Sequence, residues 1–231
     1  MDQEEFMHLN TTYSSVDIID YMGTDKTVVD SARVSYNKDD LFKEVIDEQD
    51  EKLIKYLAKH KHTSPFNHCF VSFKCQAPIF VARQLVKHQI GLVWNEVSRR
   101  YVDYTPTFYI PTKDQWRGKP ENAKQGSTGS ADIDDAFQLD IENFHKIAES
   151  LYNRLITANV APEQARLVLP TSMETEWYWS GSLYAFSRVC RLRLSPDAQE
   201  ETQQVAILID EICNERFPIS WKYLVHDKEH Y

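Results

Sequence analysis

Over residues 68–76, Cys69, Val71, Phe73 and Cys75 alternate with Phe70, Ser72, Lys74 and Gln76. No helix gives that alternation a single apolar side, so it demands a strand with one buried face. Pro78 follows and can open a helix as its first residue. That helix carries Ile79, Ala82, Leu85 and Val86 inward and delivers Arg83, Gln84, Lys87 and His88 near its C-terminal end. Upstream, residues 15–23 read as an extended stretch leading into a short helix over 27–34. Leu53, Ile54, Leu57 and Ala58 form the apolar face of a helix over 49–61, and Thr63-Ser64-Pro65-Phe66 is a turn. Downstream, Ile133, Phe137, Ile141, Phe144, Ala148, Leu151 and Leu155 mark a long amphipathic helix. A second long helix is predicted to begin at Ser195-Pro196-Asp197, with Ser195 as N-cap, and to run to about Arg216. Between them, residues 112–131 concentrate Gly, Ser, Lys and other polar residues, which predicts a mobile surface loop too short for a domain linker. The pattern is α+β, with residues 1–231 expected as one domain.

The 42% hydrophobic content suits a core that such a chain buries unaided. A net charge of −9 excludes a generic polyanion-binding surface, which needs many unopposed Lys and Arg contacts, so no nucleic-acid partner is expected. One small anion needs only a local cluster of donors, and the Arg-rich segments can supply that. Cys69, Cys75, Cys190 and Cys213 lie far apart with no CxxC pair, which favours buried thiols over a disulfide framework or thiolate zinc site. Met1-Asp2-Gln3-Glu4-Glu5 is acidic where a secretory leader would be basic and then apolar. With no apolar run near the roughly 20 residues that span a bilayer, the expectation is a cytoplasmic protein without a membrane partner, in a bacterium or a virus-infected host cell.

Chemistry concentrates in Arg83-Gln84-Leu85-Val86-Lys87-His88-Gln89 and in Asn95-Glu96-Val97-Ser98-Arg99-Arg100-Tyr101. Such a density of charged and polar groups between apolar patterns points to a ligand site, against the plainer reading of a solvated helix end and a turn. His60, His62 and His68 raise a second possibility, a metal-dependent nucleotide hydrolase, if a strand puts His60 and His62 on one face. No acidic ligand motif accompanies them, so no metal is expected. Trp177-Tyr178-Trp179 reads as core or subunit contact on a strand rather than a base-stacking surface.

Ala77-Pro78-Ile79-Phe80-Val81-Ala82-Arg83-Gln84 followed by Asn95-Glu96-Val97-Ser98-Arg99-Arg100-Tyr101 resembles the signature region of the flavin-dependent thymidylate synthases. Ala32-Arg33-Val34-Ser35, His62-Thr63-Ser64-Pro65-Phe66-Asn67-His68, Ala165-Arg166-Leu167-Val168-Leu169-Pro170 and Leu192-Arg193-Leu194 with Ala198-Gln199 are similar to that family too, in the family's order. The chain departs from it where Lys87-His88-Gln89 stands for the family's Arg-His-Arg, one residue further from Ser98. Ser182, Arg188 and Asp197 stand where relatives often carry Asn, Asn and His.

The resemblance implies an antiparallel sheet packed with long helices, assembling as a homotetramer with shared active sites. It implies reductive methylation of dUMP to dTMP, with 5,10-methylenetetrahydrofolate as one-carbon donor, FAD as cofactor and NADPH as reductant, and no enzyme cysteine attacking the pyrimidine. The partners are then dUMP, a folate and a nicotinamide nucleotide. Arg193 matches the catalytic arginine that stabilises charge on the uracil ring. Gln84, Lys87, Glu96, Ser98, Arg99, Arg100, Arg166 and Arg193 correspond to dUMP-binding positions. His62, Ser64, Lys87, His88, Gln89, Glu96, Ser182 and Arg188 correspond to FAD positions. A family member weakened in catalysis by the Lys87 and Gln89 changes, binding flavin and nucleotide without turnover, is the alternative within the family.

Overall fold

The computed structural model describes residues 8–10, 14–34, 45–102, 104–121 and 126–227. The acidic start Met1–Glu5, Ser35 and residues 122–125 of the expected loop lie outside them.

A five-stranded antiparallel sheet organises the chain, in the order β1 (His8–Asn10), β2 (Ser15–Met22), β3 (Phe70–Pro78), β7 (Glu174–Ser182) and β4 (Leu92–Glu96). The alternation predicted for residues 68–76 is realised: Cys69, Val71, Phe73, Cys75 and Ala77 are buried while Ser72, Lys74 and Gln76 face the wetter side. On β7, Phe73 opposes Trp179 and Cys75 opposes Trp177, so both strands turn their large side chains to one core. Lys74 and Glu176, on neighbouring strands, pair across the other face at 2.9 Å. Edge-to-face contacts of Phe73 with Phe186 (4.9 Å) and Trp179 with Phe186 (5.3 Å) knit sheet to helix, each buried ring adding about 1.5–3 kcal/mol of apolar burial.

Helices α1 (Asp25–Arg33), α2 (Glu48–Lys59), α6 (Leu183–Arg193), α7 (Glu200–Arg216) and the short α8 (Pro218–Trp221) cover that face. α2 begins where Asp47 accepts hydrogen bonds from the Gln49 and Asp50 amides and the Asp50 side chain accepts one from the Asp47 amide, a reciprocal cap. Asp25 is buried and accepts from the amides of Ile219 (2.9 Å) and Ser220 (2.7 Å), so α1 caps α8. α3 (Ile79–Leu85) follows β3 directly, with Pro78 as N-cap rather than first helical residue; it buries Ala82 and Leu85 as expected, together with Val81, while Ile79 and Val86, also expected inside, are only partly buried.

Two further expectations are corrected. The second long helix does not start at Ser195. α6 runs to Arg193, the amide of Ala198 bonds the Ser195 carbonyl in the bend that follows, and α7 opens after Gln199 with Glu200 and Glu201 at its positive end. The predicted amphipathic helix exists as α4 (Asp135–Thr157), but its buried residues are His145, Ala148 and Tyr152, while Phe137 (61%), Phe144 (54%) and Ile147 (65%) stay exposed. No element of the same chain covers that seam among the described residues. Within 112–131, strands β5 (Arg117–Gly118) and β6 (Thr128–Ser130) form a small ladder, and Arg117 pairs with Glu200 and Glu201 at the start of α7. A short helix α5 (Pro162–Ala165) follows α4. Among the described residues no helix is long and apolar enough to cross a membrane.

Candidate active site

The turn between α3 and β4 is built around a backbone constraint. Gly91 has φ +77°, a region open to glycine, and a Cβ on Gly181 of β7 would lie 2.4 Å from the Gly91 carbonyl oxygen. The Ser182 amide donates to that same carbonyl at 3.4 Å, which pins the turn to the end of β7. Ser182 then serves as N-cap of α6: its Oγ accepts from the Ala185 amide at 3.2 Å and donates to Asn67 Oδ1 at 2.7 Å. Asn67 belongs to the 3₁₀ turn Pro65–His68, immediately after Ser64, so the His62–Ser64 segment, Ser182 and the Gly91 turn meet at one place. His62 and Ser64 are exposed there.

His88 sits in this turn, its amide bonded to the Leu85 carbonyl at 3.0 Å. Arg193, at the last position of α6, donates Nε–H to His88 Nε2 at 3.0 Å, although 105 positions separate them. Burial, then the Arg193 and Arg188 guanidinium groups, push the His88 imidazole down to about 4, so it is neutral. Burial also lowers Arg193 from the usual guanidinium value. Lys87 and Gln89 flank His88 and are exposed. Gln84 donates Nε2–H to Gln199, in the bend before α7. An open groove of ≈ 780 Å³, lined by Arg188, Arg191, Leu194, Ser195 and His226 among others, lies along the end of α6.

The far end of β4 carries a second cluster. Trp94 stacks on Trp177 with centroids 4.5 Å apart and donates its indole N–H to Glu96 Oε2 at 3.2 Å. Thr175 donates its hydroxyl to Glu96 Oε1 at 2.9 Å, so Glu96 is held by two donors on an edge strand. Ser98 Oγ accepts from both the amide and Nε of Arg100 at 3.3 Å, and Arg100 extends over the Tyr101 ring at 4.9 Å. Arg99 behaves differently from its neighbours: it is 6% exposed, donates to the Tyr104 carbonyl and lies over the Tyr104 ring at 4.4 Å, bracing the turn from inside. Arg166, after α5, is exposed and donates to the Glu163 carbonyl at 3.3 Å.

The expected dUMP set is therefore split. Gln84, Lys87 and Arg193 gather with the expected flavin residues other than Glu96 around His88 and Ser182, whereas Glu96, expected in both sets, ends β4 four steps from Leu92, roughly 13 Å along the strand, with Ser98 and Arg100 just after it. Asn67 and Gln199 were not singled out as site residues in the sequence. Their place in the family-like runs His62–His68 and Ala198-Gln199 is the signal that could have found them. The metal alternative required His60 and His62 on a strand. Instead His60 is the C-cap residue of α2 and bonds the Tyr56 carbonyl through Nδ1 at 2.8 Å, and His62 lies in the turn beyond.

The family model of the thymidylate synthase complementing proteins matches residues 17–219, which take in the sheet from β2 to β7 and both ends of the His88–Arg193 contact. The chain belongs to the flavin-dependent thymidylate synthases, a family of methyltransferase enzymes. It is 40% identical to the flavin-dependent thymidylate synthase of Thermus thermophilus over 206 residues, covering 89% of this chain and 73% of that one. To the enzyme of the same name from Kosmotoga olearia it is 37% identical over 211 residues, 89% and 87% of the two chains. The crystal structure of a UMP/dUMP methylase, PolB from Streptomyces cacaoi, bound with 5-Br dUMP, superposes with a TM-score of 0.80 at 30% identity, covering 91% of this chain and 94% of that one.

Proposed function

We propose that this protein methylates dUMP to dTMP, taking one carbon from 5,10-methylenetetrahydrofolate and reducing power from FAD that NADPH replenishes. The observation that carries the reading is Arg193, half-buried and held by a neutral His88 at the cationic end of α6. A preorganised cation beside a uracil ring stabilises charge that develops there as N3 ionises, an effect worth about 3–4 kcal/mol for one such donor. The thiols agree with chemistry that uses no enzyme cysteine. All four are buried; Cys69 is pushed up to about 12, and burial raises Cys75, Cys190 and Cys213 well above the usual thiol range.

The donor set suits FAD. Lys87 and Arg188 are exposed cations that make no salt bridge among the described residues, fit for its phosphates, and Ser64, His62, Gln89 and Ser182 offer polar groups around the same turn. When bound, FAD supplies the electrons that turn the transferred methylene into a methyl group. Gln84, Ser98, Arg100 and Arg166 supply amide, hydroxyl and forked donors for the dUMP phosphate, and Glu96, fixed by Trp94 and Thr175, accepts from the ribose or the base.

In this reading the chain forms one domain that works as a homotetramer in the cytoplasm. Two observations support assembly: the site residues fall into two clusters at opposite ends of β4, and α4 exposes the apolar seam Phe137, Phe144, Ile147 and Leu151. A second copy that covers the seam and brings its Glu96, Ser98 and Arg100 to the first copy's Arg193 completes a site.

The test is anaerobic. Purified protein is given FAD and its visible spectrum recorded, then NADPH, dUMP and methylenetetrahydrofolate are added and dTMP is assayed. Bleaching of the flavin with dTMP formation supports the reading. Flavin and dUMP binding without turnover selects the catalytically weakened member, and a colourless protein with no product at saturating FAD removes both.

A further inference from the structure

The His88–Arg193 contact fixes more than a distance. Arg193 donates through Nε, so Nε2 of His88 must be the unprotonated nitrogen and the ring must carry its proton on Nδ1. An arginine at a helix end otherwise samples many rotamers, and its side-chain entropy opposes any single one. Here the ring that receives Nε is itself held: the His88 amide is tied to Leu85, and the turn is pinned by Gly91 to Ser182. Engagement through Nε leaves the Nη1 and Nη2 edge of the guanidinium without a hydrogen bond among the described residues, the edge that matches a planar acceptor pair. Protonating His88 would put a donor against a donor and a cation against both Arg193 and Arg188 of α6, the charged groups that act on the ring.

We propose that His88 is a positioning residue: its unprotonated Nε2 anchors Arg193 by Nε and presents the guanidinium's Nη edge to the uracil ring of dUMP. The inference rests on the reading of Arg193 as the cation that meets that ring. It gives His88 a part in the chemical step beyond contact with the flavin, and it explains why a histidine with two cations beside it stays neutral.

Two measurements test it on the full-length protein. In the FAD-loaded enzyme, His88→Leu removes the acceptor at similar volume, and His88→Gln keeps an acceptor oxygen at similar reach. His88→Leu is expected to lose about 10- to 100-fold in kcat with flavin still bound at saturating FAD and KM for dUMP little changed, the signature of lost orientation. His88→Gln is expected to recover to within about threefold of the wild type, since only an acceptor is required. The second measurement needs no turnover: two-bond ¹H–¹⁵N correlation of the imidazoles in ligand-free protein is expected to show His88 as the Nδ1–H tautomer, its titration moving toward an ordinary histidine in Arg193→Ala. Circular dichroism and thermal melts verify that each variant is folded. A His88→Gln variant as slow as His88→Leu, an unimpaired His88→Leu, or a proton on Nε2 in the wild type would each overturn the proposal. A wild-type protein that binds substrates but makes no dTMP counts against the function, and the ¹⁵N spectra still decide whether His88 anchors Arg193.

Discussion

At the scale of single residues, the neutral His88 ties stability to pH with a definite sign. Its native pKa of about 4 lies below the unfolded value near 6.5, so as pH falls through that window the unfolded chain takes up a proton that the native ring refuses. Stability therefore falls from pH 6.5 toward 4 and is unaffected by this group above 6.5. Urea unfolding at pH 7 and pH 5 should show a smaller loss in His88→Gln than in the wild type, and the difference between proteins isolates the ring from the carboxylates that titrate alongside it. An equal loss in both would place His88 in an ordinary environment. Arg193→Ala should keep the fold, the assembly and bound flavin yet lose about 10²- to 10³-fold in kcat, the usual effect of deleting one preorganised donor; near-normal dTMP formation would remove Arg193 from the chemical step. The identity of these residues was legible in the resemblance, but their meeting was not. Nothing in a sequence says that positions 88 and 193 share a hydrogen bond, or that Arg99 turns inward beside the exposed Arg100.

Elements were legible where periodicity was strong. β3 alternates without interruption and is evident nearly to its ends, and α2 carries a capping carboxylate and an amphipathic face. α6 was missed because apolar residues dominate it: Leu183, Ala185, Phe186, Val189 and Cys190 are buried, while Tyr184, Arg188 and Arg191 mark a wetter side too sparse to set a helical period. Ser195-Pro196-Asp197 has the chemistry of a helix start, and it misplaced α7, since a bend satisfies the same residues. The packing of α1 against α8 had no local signal, because Asp25 caps amides 194 and 195 positions away. Asp25→Ala would leave the Ile219 and Ser220 amides buried without an acceptor, at a cost of about 2–4 kcal/mol, readable as a shift in the denaturant midpoint. Asp25→Asn, which keeps one acceptor, should lose less. Gly181→Ala drives a methyl against the Gly91 carbonyl and should cost about 1–3 kcal/mol, with the thermal midpoint as readout.

For the whole molecule, the sequence pattern of α4 was right about amphipathicity and silent on what covers it. Phe137, Phe144 and Leu151 recur at intervals of seven, the spacing of a helix seam that another helix can pack, and within this chain that seam faces outward. The resemblance implies shared active sites, but a sequence does not say which of the binding residues two copies would bring together. Both features make one prediction with two readings. Light scattering should give a mass near four times 27.0 kDa, and Phe144→Asp with Leu151→Asp should release folded subunits that make no dTMP. Sharing of the site is tested by mixing. Arg193→Ala and Arg100→Ala are each expected to be inactive alone, because each spoils every site. If a site takes Arg193 from one copy and Arg100 from another, subunit exchange between the two variants regenerates intact sites in about a quarter of positions, with activity rising to that share. If both arginines serve from the same chain, every mixed site keeps one defect and no activity returns, which would reverse the division of labour argued from the two ends of β4.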